Sequence, residues 1–372
     1  MPRRLLVTGG AGFIGANFVH YWLGRYPDDR IVVLDALTYA GNLASLQPAL
    51  SNPQLTFVRG DIAAPGLAEG LLREHDLTTV VHLAAESHVD RSIVGPEVFL
   101  HTNVVGTHVL LQAARQVWLE EGGTSKPGRF HHVSTDEVFG SLGPEDPPIT
   151  EESPYAPSSP YAASKAASDH LARAYHRTYG VPVTLSHCSN NYGPYQFPEK
   201  LIPLMIVNAL EGKPMPVYGD GLQVRDWLSV NDHCRAIEQV VVGGREGESY
   251  NVAGRNEWTN VALVRLLCRL VDDAFRSDPG LGVRYPLSAA ARGQETASLI
   301  THVSDRPAHD RRYALDTSKL EAETGFSPSE SLEAGLEATL AWYLDHEGWW
   351  REVMDGRYRQ WIKQQYGANV SF

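Results

Sequence analysis

The most constraining feature of this chain lies in its first residues. An apolar run, Arg4–Thr8, leads straight into Gly9-Gly10-Ala11-Gly12-Phe13-Ile14-Gly15, and the stretch Gly12–Arg25 that follows is amphipathic. Glycines at 9, 12 and 15 allow a tight strand-to-helix turn. They also let a pyrophosphate approach the amides at a helix N-terminus. The glycine pattern alone is equally compatible with an ordinary Gly-rich turn. Asp35 shifts the balance, because it closes the second apolar run about twenty residues after the glycines, where a carboxylate can accept both hydroxyls of an adenosine ribose. It would repel a 2′-phosphate, and the next residues, Ala36 and Leu37, offer no arginine to hold one. NAD is therefore expected rather than NADP. Asp61, in Gly60-Asp61-Ile62 after the third run, is placed to meet the adenine edge and serves equally well as a helix cap.

The turn opens a longer alternation. Apolar runs at Arg4–Thr8, Ile31–Asp35, Leu55–Val58, Thr79–Ala84, Arg129–Ser134 and Val183–His187 are rich in Val, Ile and Leu and show little polar alternation, as strands buried on both faces should. Helical candidates lie between them: Gly12–Arg25, Asn103–Glu121, and Tyr161–Tyr179, which stops at Gly180 with Pro182 beyond. Such alternation predicts an α/β fold, a doubly wound parallel sheet of the Rossmann kind. After about residue 190 Pro and Gly become frequent and the regularity is lost, which suggests a smaller, loop-rich C-terminal substrate domain. Asp226–Val242 reads as a helix returning to the large domain, and Leu332–Leu344 as a second long amphipathic stretch. The expected division is 1–190 plus about 226–252 for NAD, and about 191–225 plus 253–372 for substrate. Ser277–Thr301 resists interpretation and reads as a mobile loop.

A length of 372 residues with 43% hydrophobic and 20% charged residues is globular and allows a sizeable core. A net charge of -12 argues against general nucleic-acid binding, although a few local arginines can still hold a diphosphate. The three cysteines, Cys188, Cys234 and Cys268, are widely spaced and odd in number, so neither a disulfide framework nor a zinc knuckle is indicated. With no signal-peptide pattern and no long apolar span, a cytoplasmic protein is expected.

Tyr161-Ala162-Ala163-Ser164-Lys165 places Tyr161 and Lys165 on one helix face. An ammonium beside a phenol favours the phenolate, so Lys165 is expected to lower the pKa of Tyr161 and make it a base. Taken alone, the pair is as well explained by a surface helix. It gains meaning from Ser134-Thr135-Asp136-Glu137 at the end of the fifth apolar run, because strand ends are where parallel α/β proteins place their chemistry. The Thr135 hydroxyl can bond a substrate hydroxyl being oxidised. A D-E pair is usually a solvated loop or helix cap, but here it joins a dinucleotide turn and a Tyr/Lys pair.

Longer stretches carry a resemblance. TGGAGFIG at the start, Leu37–Leu43, His82–Ser92 (HLAAESHVDRS), STDEVFG, YAASKA, Cys188–Pro203 (CSNNYGPYQFPEKLIP) and Pro216–Leu228 (PVYGDGLQVRDWL) resemble the extended short-chain dehydrogenase/reductases, and within them the dTDP-glucose 4,6-dehydratase family. The resemblance covers nearly the whole chain. It implies a lyase in which Tyr161 takes the C4 hydroxyl proton, NAD takes and returns a hydride, Glu137 removes the C5 proton, and protonated Asp136 donates to the departing C6 hydroxyl. Two carboxyl groups in opposite protonation states let one site run acid and base steps together. The implied product is a 4-keto-6-deoxy sugar.

The resemblance also assigns contacts. Cofactor positions are Gly9, Gly12, Phe13, Ile14 and Gly15 in the first turn, Asp35 and Thr38 after the second strand, and Asp61 and Ile62 after the third. Ala84, Ala85 and Ser87 follow the fourth, with Thr102, Tyr161, Lys165 and Asn190 completing the set. Substrate positions are Ser87, His88, Asp90 and Thr135 in the large domain, then Asn191, Glu199, Lys200 and Leu201. Pro216, Tyr218, Arg225, Asn260, Arg306, His309 and Tyr366 lie further on. Arg225 and Arg306 would offset the diphosphate. For Asn260, His309 and Tyr366 packing roles compete. No metal is expected, since His309 has no spaced partner ligand. Phe139 departs from the family, which usually carries Tyr there.

The rivals are a nucleotide-sugar 4-epimerase, against which the Asp136–Glu137 pair argues; a GDP-mannose dehydratase, against which Asp35 argues; and a UDP-glucose 4,6-dehydratase, which shares the pair. A non-catalytic binding protein would be expected to have lost one of these groups. The resemblance further implies a homodimer through Asn103–Glu121 and Tyr161–Tyr179, both supplied with small residues for close helix packing.

Overall fold

The computed structural model describes residues 2–122, 128–305 and 309–354. The six apolar runs become parallel strands of one sheet: β1 (Arg4–Thr8), β2 (Arg30–Asp35), β3 (Leu55–Arg59), β4 (Thr79–His82), β5 (Arg129–Thr135) and β6 (Val183–Cys188). Interleaved are α1 (Phe13–Arg25), α2 (Leu67–Glu74), α3 (Val89–Val94), α4 (Glu97–Phe99), α5 (Thr107–Ala114) and α6 (Pro160–Tyr179). Beyond them come β7 (Asn190–Tyr192), α7 (Leu201–Glu211), β8 (Met215–Tyr218), β9 (Val224–Ser229), α8 (Val230–Gly243) and β10 (Ser249–Val252). The chain continues through β11 (Glu257–Thr259), α9 (Asn260–Ser277), α10 (Gly280–Arg284), β12 (Ile300–Val303), α11 (Ser318–Thr324), α12 (Leu332–Asp345) and α13 (Glu347–Val353).

The main sheet runs β10-β6-β5-β4-β1-β2-β3, every pair parallel. Strand order reverses between β1 and β4, and the crevice beyond their C-terminal ends is where doubly wound sheets bind ligands. Side chains alternate across the sheet. Leu5 and Val7 face Phe18, Trp22 and Ile237 of α1 and α8, while Leu6 faces Leu71, Leu110 and Ala172 of α2, α5 and α6. A third core joins α7, α9 and α12 through Ile206, Leu267 and Leu336. Two small sheets, β11-β9-β7 and β12-β8, bridge the regions.

Three expectations need correcting. Asp226–Val242 is not one helix, because Asp226–Ser229 belongs to β9, whose backbone pairs with β7 on one side and β11 on the other. Tertiary pairing overrides a helical pattern there. Ser277–Thr301 is no loose loop: it contains α10, short 3₁₀ turns and the start of β12, pinned by Thr296 donating to Asp272. Asn103–Glu121 is helical but not regular α-helix, since Leu100–Gly106 and Arg115–Glu120 are π-helical on either side of α5. The first wide turn coincides with Asn103, whose carboxamide is tied to the Glu86 backbone and to Ser164.

The long α6 shows local signals in agreement. Ser159 caps its N-terminus through Ala162 N–H at 3.1 Å, Pro160 occupies the first turn, and Gly180 ends it at φ +77°. Asp232, buried in the first turn of α8, accepts from Ser329 N and Oγ (2.8 and 2.7 Å) and from Arg235 (2.7 Å), tying the sheet's crossover helix to the segment before α12. Asp232→Ala strands these donors. It is expected to cost about 3 kcal/mol, read as a lower urea midpoint at unchanged slope.

Candidate active site

A cleft of about 330 Å³ opens at the C-terminal edge of β1, β2, β4, β5 and β6. Its floor is the glycine turn. Gly9 has φ +69°, and a Cβ there would lie 2.6 Å from the Ala84 backbone; one at Gly15 would lie 2.1 Å from the Gly9 carbonyl. Bare backbone at these positions seats α1 against the strand ends and leaves its first-turn amides facing the cleft. Asp35 sits at the rim, its carboxylate accepting from Ala11 N (2.9 Å) and Leu37 N (2.8 Å). Burial raises its pKa while these amides lower it. Asp61 also lines the cleft and accepts from Ala63 N at 2.8 Å, closing a local turn; it does not cap a helix, because α2 starts at Leu67 with Gly66 at its N-cap.

All sixteen positions expected to hold cofactor line this one cleft: Gly9, Gly12, Phe13, Ile14, Gly15, Asp35, Thr38, Asp61, Ile62, Ala84, Ala85, Ser87, Thr102, Tyr161, Lys165 and Asn190. Asn190 Oδ1 is buried with no hydrogen-bond partner among the described residues. Glycine cradle, ribose-facing carboxylate and unmatched amide oxygen fit a dinucleotide.

Thr135, Asp136, Glu137, Tyr161 and Lys165 converge on the same cleft. β5 delivers the first three as its end turns into a 3₁₀ segment, with the Thr135 hydroxyl 3.4 Å from Glu137 N and 3.3 Å from Asp136 Oδ1. Burial, then the Glu137 charge, push the Asp136 carboxyl well above the usual range, against the pull of Arg225. Asp136 Oδ2 has no partner among the described residues.

The Tyr161 expectation is not met. Lys165 Nζ donates to the Val133 carbonyl at 2.8 Å, and burial followed by the Glu137 charge holds the Tyr161 phenol well above its ordinary pKa. The lysine's reach is taken up by the strand backbone, so its field on the phenol does not outweigh burial. Burial also lowers the pKa of Lys165 itself.

Among expected substrate positions, Ser87, Thr135, Asn191, Glu199 and Lys200 line the cleft. His88 is buried behind it, Nε2 3.8 Å from Glu199, and Asp90 lies in the first turn of α3. Leu201 opens α7 and packs on the third core rather than the cleft. Arg225 is buried, donates to the Val224 and Asp310 carbonyls and stacks 4.4 Å over Tyr313, with its charge felt at Asp136. Pro216 and Tyr218 on β8, Asn260 at the start of α9, and His309 are not among the residues that line the cleft. His309 bonds Asp305 at 2.6 Å and lies 6.0 Å from the Tyr218 ring. Arg306 and Tyr366 fall outside the described residues.

Tyr39, Glu86, Cys188, Gln196 and Phe197 also line the cleft and were not singled out in the sequence. Each lies inside a stretch quoted for the resemblance, but none carries a motif of its own. Glu199 is pushed up to about 7 by burial, partly offset by Lys200 and Arg91. Phe139 is buried edge-on against Tyr155 (5.0 Å) and His187 (4.9 Å) in an apolar cluster with Ile149 and Leu315, so the missing hydroxyl leaves no gap in a polar network. Among the described residues no group of three His, Cys, Asp or Glu could hold a metal ion, and no helix is long and apolar enough to cross a membrane.

A doubly wound sheet with a glycine turn, an NAD-type acidic residue at the end of β2 and a Tyr/Lys pair beside the β5 end defines an extended short-chain dehydrogenase/reductase. The family model described as GDP-mannose 4,6 dehydratase matches residues 6–339. The chain is 53% identical to the dTDP-glucose 4,6-dehydratase of Xanthomonas campestris pv. campestris (strain B100) over 98% of this chain and 99% of that one. It is 51% identical to the enzyme of the same name from Neisseria meningitidis serogroup B, covering 96% and 98%. The crystal structure of the dTDP-glucose 4,6-dehydratase DesIV of Streptomyces venezuelae with NAD bound superposes with a TM-score of 0.83 at 48% identity, covering 94% of this chain and 99% of that one. The chain belongs to the dTDP-glucose 4,6-dehydratase family.

Because burial raises the Asp136 carboxyl well above its usual range in the fold, it weakens the fold once pH rises past the unfolded carboxyl pKa of about 4. The loss grows until the raised folded pKa is reached. Asp136→Asn does not titrate. Its melting temperature is therefore expected to gain on the native chain as pH rises from 4 toward neutrality, with no gain below. A pH-independent difference would mean that Asp136 is ionised in the fold.

Proposed function

We propose that this protein is an NAD-dependent hydro-lyase that converts dTDP-glucose to dTDP-4-keto-6-deoxyglucose and water. The observation that carries the reading is that buried Asp136, with its raised carboxyl, and half-buried Glu137 line one cleft together with Tyr161: an epimerase has no use for such an acid beside a second carboxylate. Relatives about half identical over nearly the whole chain bear this activity in their names.

The first-turn amides of α1 hold the cofactor diphosphate, Asp35 the ribose hydroxyls, and Asn190 with Lys165 the inner end. Bound NAD supplies positive charge beside the Tyr161 phenol, a hydride acceptor for C4 and, once reduced, the hydride donor to C6. Thr135 bonds the C4 oxygen and Tyr161 takes its proton. With C4 a ketone, the C5 proton is acidic, and Glu137 removes it. Asp136 gives its proton to the departing C6 oxygen, which leaves as water; as C6 is reduced, the proton held by Glu137 returns to C5 and completes the saturated keto sugar. Arg225 offsets negative charge on the substrate side. The large region, 1–190 with about 226–252, holds the cofactor; 191–225 with the residues after 253 closes over the sugar nucleotide.

A cytoplasmic location follows from the metabolic substrate. The active form is a homodimer. Val98, Leu100, Val105 and Leu119 on the 97–120 helical run and Tyr179 on α6 are exposed apolar side chains that a second copy would cover. Sedimentation as a stable monomer would contradict this.

Purified protein incubated with dTDP-glucose and UDP-glucose, without added NAD, tests the reaction by mass spectrometry. Loss of one water from dTDP-glucose is expected; an unchanged mass with an inverted C4 would indicate an epimerase. Glu137→Gln is expected to abolish C5 proton exchange with solvent, followed in ²H₂O, while leaving NAD bound.

A further inference from the structure

Behind the cleft wall lies a buried polar cluster that none of the steps above uses. Asp169 follows Lys165 on α6 by one turn, as Lys165 follows Tyr161, so all three share one helix face. Asp169, His132 and His187 are fully buried. The Asp169 Oδ2 accepts from Ser134 Oγ (2.9 Å), Tyr155 OH (2.8 Å) and His187 Nε2 (3.1 Å). His132 Nε2 approaches Oδ1 to 3.1 Å, short of a well-aligned hydrogen bond. Ser134 immediately precedes Thr135, Asp136 and Glu137, and Lys165 donates to the carbonyl of Val133 just before it. One carboxylate therefore gathers the ends of β5 and β6, the loop before α6, and α6 itself.

The charges around it give the cluster direction. Burial alone would raise Asp169, but the close approach of His132 and the hydrogen bond from His187 outweigh it and hold the carboxyl well below its usual range. His132 does not supply the balancing charge, since burial and then the Lys165 charge push it down to about 4. Burial likewise raises Tyr155 and, in the cleft wall, Cys188. His82 of β4, 5.2 Å from His132, is driven well below its ordinary value by burial. Arg173, two turns beyond Lys165, lies 5.1 Å over the Tyr155 ring and bonds Ser249. Lys165 is the cation facing the cleft, and Asp169 is the largest influence opposing the loss of its proton by burial. An uncompensated ammonium at this depth would be costly.

Resting on the dehydratase reading, we propose that Asp169 is a positioning residue for the reaction: its carboxylate is the buried counter-charge of Lys165 and, through the Ser134 hydroxyl, the tie that holds the Thr135–Asp136–Glu137 strand end against α6. It touches neither substrate nor cofactor, and it is not among the residues lining the cleft.

The test is the pH profile of dTDP-glucose dehydration by the NAD-loaded full chain. Asp169→Asn keeps the carboxamide oxygen as an acceptor and removes the charge. Without the negative neighbour Lys165 loses its proton at lower pH, so the alkaline limb of kcat should move down by about one pH unit. At the optimum kcat should fall on the order of 10²-fold, with KM and bound NAD little changed. Asp169→Glu should return the limb toward its native position. Ser134→Ala cuts the tie and keeps the charge: kcat should fall with the limb unmoved. A limb unmoved in folded Asp169→Asn overturns the proposal. So does an Asp169→Asn protein that cannot be recovered folded alongside a Ser134→Ala protein of full kcat, because Asp169 then serves the fold alone. Reduced kcat at unchanged melting temperature in Ser134→Ala supports it. Failure of the native chain to act on dTDP-glucose would instead overturn the functional reading.

Discussion

Much of this structure depends on backbone meeting backbone at the first turn. Gly9 passes so close to Ala84 that a side chain there has no room, and Gly15 passes equally close to the Gly9 carbonyl. These contacts fix how far α1 stands from the ends of β1 and β4. That spacing places the helix amides over the crevice where strand order reverses, and so sets the line a dinucleotide follows. Thr135, Asp136, Glu137 and Tyr161, from the end of β5 and the start of α6, line the same cleft.

Burial is the second organising constraint. The chain carries a net charge of -12, yet its chemistry depends on a few charges removed from water. Burial, followed by the charge of the adjacent Glu137, pushes the Asp136 carboxyl well above its usual range without any dedicated proton donor. Burial works against Tyr161 as well, holding its phenol well above its ordinary pKa. Lys165 survives at this depth because it donates to the Val133 carbonyl and the charge of Asp169, one helical turn on, opposes the loss of its proton. Groups of this kind act together, and each sets the protonation state of the next.

Much of the fold was legible in the sequence. Strands buried on both faces read as unbroken Val/Ile/Leu runs, and the ends of α6 are written as Ser159-Pro160 and Gly180. Where reading failed, a partner distant in sequence decided. Residues Val224–Ser229 are strand because β7 and β11 flank them, and 277–301 is ordered because Asp272 and β8 hold it. Glu86 and Gln196 line the cleft with nothing in their own spacing to announce it.

What the sequence by itself determined is the glycine turn, the acidic residue at the end of β2, the Tyr161/Lys165 pair and the strand-end triplet. Each is a local pattern, and covalent spacing alone carries local patterns. What only the tertiary structure decided is how these groups are charged. A pKa answers to burial and to neighbours within a few ångströms, and here those neighbours come from other strands. Arg225 acts on Asp136 from β9, and the carbonyl of Val133 takes the lysine that spacing had assigned to Tyr161. Asp169 is gathered by β5, β6 and the loop at Tyr155, a convergence that no spacing along one helix contains.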